Sequence, residues 1–141
     1  MIFTNWSKME EAYKQYFKTD RFATTNGITL LIAKPGYAKA EVKIEDRHLN
    51  GAGVVHGGLI FTLADFCFGV ATNTYGQITL SINASISFLA KSNKGVLTAE
   101  CKEISRNNKL SICDINVYNE DGKLLANFKG TAYITKEKVE F

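Results

Sequence analysis

The chain lacks the cysteine pairing of a disulfide-framed protein. Its three cysteines, Cys67, Cys101 and Cys113, are odd in number and show no CxxC spacing. That excludes a disulfide scaffold and predicts reduced thiols, small core side chains in a cytoplasmic protein. Long apolar runs are also missing. The longest, Leu59 to Thr72, is interrupted by Asp65 and falls short of a bilayer. The first eight residues have neither the basic start nor the apolar core of a signal peptide, so no membrane association is expected. No basic run with interleaved aromatics occurs, and no zinc-finger or helix-turn-helix spacing. A net charge of +3 is too mild to argue for a nucleic-acid partner. No convincing cluster of metal ligands stands out, and there is no repeat, linker or low-complexity segment.

What remains is an ordinary globular composition, 45% hydrophobic and 22% charged over 141 residues. It predicts one domain spanning residues 1–141, long enough to build a core. Residues Asn5 to Lys18 predict a short amphipathic helix, with Trp6, Met9, Tyr13 and Phe17 at helical spacing and Ser7 with Glu10 as a capping box. Ile28 to Lys34 predicts a strand ended by Pro35-Gly36. Ala38, Ala40, Val42 and Ile44 alternate with charged residues, the pattern of a half-buried strand. Ile78, Leu80, Ile82, Ala84, Ile86 and Phe88 then form one face of a long strand whose other face is small and polar. Two more strands, Gly95 to Ser105 and Lys109 to Tyr118, turn at Asn107-Asn108. Asp121-Gly122 leads into a last strand, Lys123 to Ile134, and residues 135–141 read as a frayed, charged tail.

Between the second and third strands lies the most informative segment. His48-Leu49-Asn50-Gly51-Ala52-Gly53-Val54-Val55-His56-Gly57-Gly58 runs straight into a helix, about Gly57 to Tyr75, that is apolar almost all round. Glycines at a helix start free backbone N–H groups at its positive end, where an anion or oxyanion can dock. One carboxylate, Asp65, sits inside that helix. Surrounded by protein, it must be paired, protonated or employed. Strands joined by hairpin-length turns argue an antiparallel sheet, and one apolar helix argues that the sheet wraps around it. The expected class is α+β, a hotdog architecture.

The run His48-x-Asn50-x-x-Gly53-x-x-His56-Gly57-Gly58 followed by Leu63-Ala64-Asp65 resembles the acyl-CoA thioesterases of the hotdog superfamily, of the phenylacetic-acid-degradation type. Ser85-Ile86-Ser87-Phe88-Leu89 and Ser105-Arg106-Asn107-Asn108-Lys109 add to the likeness, which extends over roughly residues 28–134. The resemblance implies hydrolysis of an acyl-CoA substrate, with no cofactor beyond the CoA that the substrate carries. It implies that Asp65 is nucleophile or general base and that the backbone at Gly57 and Gly58 binds the thioester carbonyl. Asn50 and His56 would organise the site, and Ser81 would position water. It further implies a homodimer with sites at its seam, assembling into a homotetramer. Phe88-Leu89-Ala90-Lys91-Ser92 departs from many relatives, which bears on substrate preference. CoA phosphates call for cations at the pocket mouth, and Arg106, Lys109, Lys91 and Lys94 are the candidates, with Asn108 of the same hairpin as a further substrate-binding residue. Phe61, Phe66 and Phe68 are candidates for the acyl pocket, against a default of core packing.

Helix geometry gives an independent reason to expect two chains. Eight residues separate Gly57 from Asp65, about 12 Å along a helix at ~1.5 Å per residue. An oxyanion donor and a base must both lie within roughly 3 Å of the reacting carbonyl group. One helix cannot serve both ends, but two antiparallel copies related by a two-fold axis can. Competing readings are a non-catalytic acyl-CoA-binding or sensing protein, and a dehydratase or hydratase. The latter is poorly served by a histidine nine residues before the acid.

Overall fold

A computed structural model describes residues 5–141. Its helices are α1 (Asn5–Phe17), α2 (Arg21–Thr25) and α3 (Gly57–Asn73), and a 3-10 turn covers Asp46–His48. The strands are β1 (Thr29–Lys34), β2 (Tyr37–Lys43), β3 (Gln77–Phe88), β4 (Val96–Arg106), β5 (Leu110–Tyr118) and β6 (Leu124–Lys138). They form one antiparallel sheet in the order β1-β2-β4-β5-β6-β3. Helix α3 touches every strand of it. This is the α+β architecture expected, a sheet wrapped around one apolar helix. Leu63, Phe68 and Val70 of α3 are buried against Leu97, Ile115 and Phe128 of the sheet. Each such side chain contributes about 1.5–3 kcal/mol by leaving water. Among the described residues no helix is long and apolar enough to cross a membrane.

Four sequence expectations need correction. Strands β3 and β4 are not neighbours, because β3 lies at the sheet edge against β6. Past the end of β3, Leu89 N–H still donates to Leu125 O. Val55 N–H to Ser92 O and Ile44 N–H to Gly95 O then draw the chain across to the β2 side. Second, the apolar face of β3 is not continuous. Opposed residues of an antiparallel pair share a face, and the register slips between Ser81 and Asn83. Ala84, Ile86 and Phe88 therefore sit over buried Gly130, Phe128 and Ala126, whereas Thr79 and Ser81 take the inner positions over Ile134 and Ala132. Leu80 pairs with exposed Tyr133 on the outer face, and Ile82 is the extra residue of the bulge.

Third, residues 135–141 are not a frayed tail. β6 continues to Lys138, Val139 N–H donates to Gly76 O, and the Phe141 ring stands 4.7 Å from Tyr13 and 5.1 Å from Tyr16. Aromatic packing, which a charge count overlooks, fixes this end. Fourth, α1 already includes Ser7, so Ser7 is inside the helix rather than its cap, and Glu10 pairs with Lys14. Helix α2, which the sequence reading missed, is capped by Asp20 accepting from Ala23 N–H at 3.0 Å.

Candidate active site

Two histidines and an asparagine build the loop that feeds α3. Asn50 Oδ1 accepts from Ala52 N–H at 2.9 Å and Val54 N–H at 3.3 Å, closing an Asx turn. Gly53, at φ 75°, supplies the left-handed residue the turn requires. His56 caps the helix: its Nδ1 accepts from Gly58 N–H at 2.8 Å, while its backbone N–H donates to His48 O. A Cβ on Gly58 would stand 2.8 Å from that imidazole nitrogen, so the cap requires glycine there. The cap therefore occupies the Gly58 N–H. Gly57 N–H has no acceptor among the described residues and stands at the positive end of the helix.

His48 carries more weight than a surface residue would. It is 4% exposed. Its Nδ1 accepts from Glu45 N–H at 3.0 Å, which leaves Nε2–H to donate to Asn26 O at 3.0 Å. That ring pins the Gly-rich loop to the turn before β1. The x-x-His spacing after Glu45 is a capping-box pattern, and this signal was present in the sequence.

Asp65 lies on the stripe of α3 that the sheet does not cover, with Thr62 and Gly69 above and below it. Its carboxylate is half-buried and has no hydrogen-bond or ion-pair partner among the described residues. Burial raises its pKa, and the negative charge of Asp20 raises it further. Both carboxylates line a cavity of about 350 Å³ with Phe17, Phe22, Phe66 and Asn73. On its other side Asp65 shares a cleft of about 150 Å³ with Ser81, Thr72 and Thr79. The β3 bulge is what turns Ser81 toward that cleft. A tight network closes its floor, with Thr72 Oγ1 2.6 Å from Thr79 Oγ1 and Asn73 Nδ2 donating to Thr79 Oγ1 at 2.9 Å. Asp20, absent from the sequence-derived set, belongs to a Phe17-Lys18-Thr19-Asp20 segment that carries no motif.

The cationic candidates fall at opposite ends of α3. Lys91 is exposed on the crossover held against the Gly-rich loop by the Val55–Ser92 bond, and Lys94 is exposed on the same segment. Asn108 and Lys109 are exposed on the β4–β5 turn, where Asn107 Oδ1 accepts from Lys109 N–H. Arg106 is bound up elsewhere. Its guanidinium lies 3.6 Å from the Tyr75 ring centroid and 3.2 Å from Glu103 Oε2, and its side chain is 17% exposed. Glu103 also accepts from Ser111 Oγ and Tyr75 OH. Of the aromatic candidates, Phe68 packs on Phe128 and Gly130 and also borders the Asp65–Ser81 cleft, while Phe66, a core residue, and Phe61 each border another cavity. Among the described residues no group of three or more His, Cys, Asp or Glu side chains could hold a metal ion.

The sequence profile of the thioesterase superfamily matches residues 52–126. A protein of Archaeoglobus fulgidus, provisionally named an esterase, is 40% identical over 93% of this chain and 86% of its own length. The acyl-coenzyme A thioesterase PaaI of Escherichia coli is 29% identical over 83% of this chain and 84% of its own length. The solved structure of the E. coli PaaI protein from the phenylacetic acid degradation operon superposes with a TM-score of 0.86 at 26% identity. That superposition covers 89% of this chain and 92% of the other.

Proposed function

For a chain that belongs to the thioesterase superfamily and folds as a PaaI-like hotdog domain, we propose the hydrolysis of acyl-CoA thioesters to free acid and CoA. The observation that carries this reading is Asp65, an unpartnered half-buried carboxylate on the same helix as the free Gly57 N–H. Gly57 N–H polarises the thioester carbonyl and holds the developing oxyanion. Asp65 of the opposite protomer either attacks the carbonyl carbon, expelling CoA thiolate and leaving an anhydride that water cleaves, or takes a proton from an attacking water. Ser81, in the Asp65 cleft, orients that water. His56 and Asn50 act through the loop: one caps the helix so that only Gly57 is left to donate, the other closes the turn before it. CoA phosphates are met by Lys91 near one end of α3 and by Lys109 with Asn108 near the other. Arg106 contributes by fixing the β4 end through Glu103 and Tyr75.

The exposed edge supports pairing with a second copy. β3 runs twelve residues with Leu80, Ile82 and Phe88 each more than half exposed, and such an edge is a liability unless another strand covers it. A β3–β3 pair sets two α3 helices antiparallel, each Gly57 beside the other's Asp65. On the outer sheet face Ile104, Ile112, Tyr133 and Leu80 form an apolar patch across four strands. It suits back-to-back association of two dimers into a tetramer. The test is release of free thiol from acyl-CoA esters. Asp65→Asn is expected to lower kcat by about 100-fold or more while retaining ligand binding. Unchanged turnover in that variant would remove Asp65 from the mechanism.

A further inference from the structure

A second cavity lies beyond the one that holds Asp65. It measures about 430 Å³ and is walled by Phe17 of α1, Ile28, Leu30 of β1 and Phe66 of α3. Phe17 and Phe66 line both cavities, and their rings meet edge to face with centroids 6.4 Å apart. The two spaces, each partly open to solvent, are thus neighbours divided by one aromatic pair, and the one that holds the carboxylate is termed the inner chamber, the other the outer. The far lip carries Glu11, Lys14, Lys18 and Thr24. Lys14 is paired with Glu10 at 3.4 Å, so two cations there are matched by two carboxylates. A balanced lip does not select the phosphates of CoA, while the apolar walls between lip and gate favour hydrocarbon.

The geometry points to this outer chamber as the seat of the acyl tail, making aliphatic acyl-CoA esters of medium to long chain the substrate class. The inference rests on the hydrolytic reading above. The carbonyl stands at Asp65, the first methylenes occupy the inner chamber, and longer chains pass between Phe17 and Phe66. Passage requires the Phe17 ring to turn aside, a ring that now meets Phe66, Tyr16 and Phe141.

The experiment compares kcat/KM for acetyl-, hexanoyl-, decanoyl- and hexadecanoyl-CoA in the wild type, Leu30→Trp and Leu30→Ala. Bulk at Leu30 fills the outer chamber and truncation enlarges it. Leu30→Trp is expected to lower the decanoyl-to-acetyl preference by about tenfold, and Leu30→Ala to move the optimum to longer chains. Opposite shifts cannot arise from general damage to the fold, and either variant alone reads the effect. A profile that both variants leave unchanged, or that Phe61→Trp resets instead, would overturn the proposal. A non-hydrolysable decanoyl-CoA thioether titrated by calorimetry separates the two claims. If no ester is cleaved yet the thioether binds and Leu30→Trp weakens it, hydrolysis fails and the chamber stands. If esters are cleaved with no chain-length response to Leu30, the chamber fails and hydrolysis stands.

Discussion

At the scale of residues, the proposed site is one carboxylate and the groups that set its charge. Asp65 is held above the ordinary carboxylate range first by burial and then by Asp20. A base must be ionised to act, so kcat/KM should fall as pH drops through that raised value. Asp20→Asn keeps an N-cap for α2 while removing the charge. It is expected to move the acidic limb of the pH–rate profile to lower pH, and a limb that does not move would leave burial as the whole cause. Stability runs the opposite way with pH. A carboxyl with a raised folded-state pKa favours the fold below its unfolded value and loses that contribution as pH rises through the folded one. Asp65→Asn should therefore melt higher than the wild type at neutral pH, by a margin that shrinks on acidification in thermal scans. The sequence singled out Asp65, His56, Gly57 and Asn50 as candidates because each stands in one local motif. Asp20 was not legible as part of the site, because the fold brings it there from a distant segment, and of His48 only the local cap on Glu45 was legible, not its bond to Asn26 O. Arg106 illustrates the converse, a cation on an apparent turn whose charge is already met by Glu103.

At the scale of elements, alternation and turn signals together located every strand, yet alternation misassigned the faces of β3. One bulge residue, Ile82, inverts the pleat, and no periodicity carries that information because the slip is defined only against β6. The inner face of β6 shows how closely strand and helix approach. A Cβ on Gly130 would stand 2.8 Å from two atoms of the Phe68 ring, and neither the ring nor the strand has room to yield. Gly130→Ala is expected to destabilise by about 1–3 kcal/mol in denaturant titration. A neutral result would mean that α3 can slide relative to the sheet. Topology was the other gap. Turn lengths identified an antiparallel sheet, but the placement of β3 depended on bonds from Leu89 to Leu125 and from Val55 to Ser92, which join distant segments.

At the scale of the whole molecule, the proposed site needs two chains, and complementation tests that directly. Gly57→Pro removes one free N–H at a helix position that accepts proline, although its ring crowds Phe88. Alone, Gly57→Pro and Asp65→Asn should each be nearly inactive. Refolded together, their mixed dimers regain one intact site from two wild-type residues on different chains. Activity well above the sum of the separate variants is expected, and its absence would place Gly57 and Asp65 of one chain in separate sites. At the end of the chain the Phe141 ring, 37% exposed, rests against Tyr13, Tyr16 and Phe17. Anyone engineering this protein should therefore place purification tags and fluorophores away from that wedge, because disturbing it would reach through α1 to Phe17 and the proposed acyl chamber.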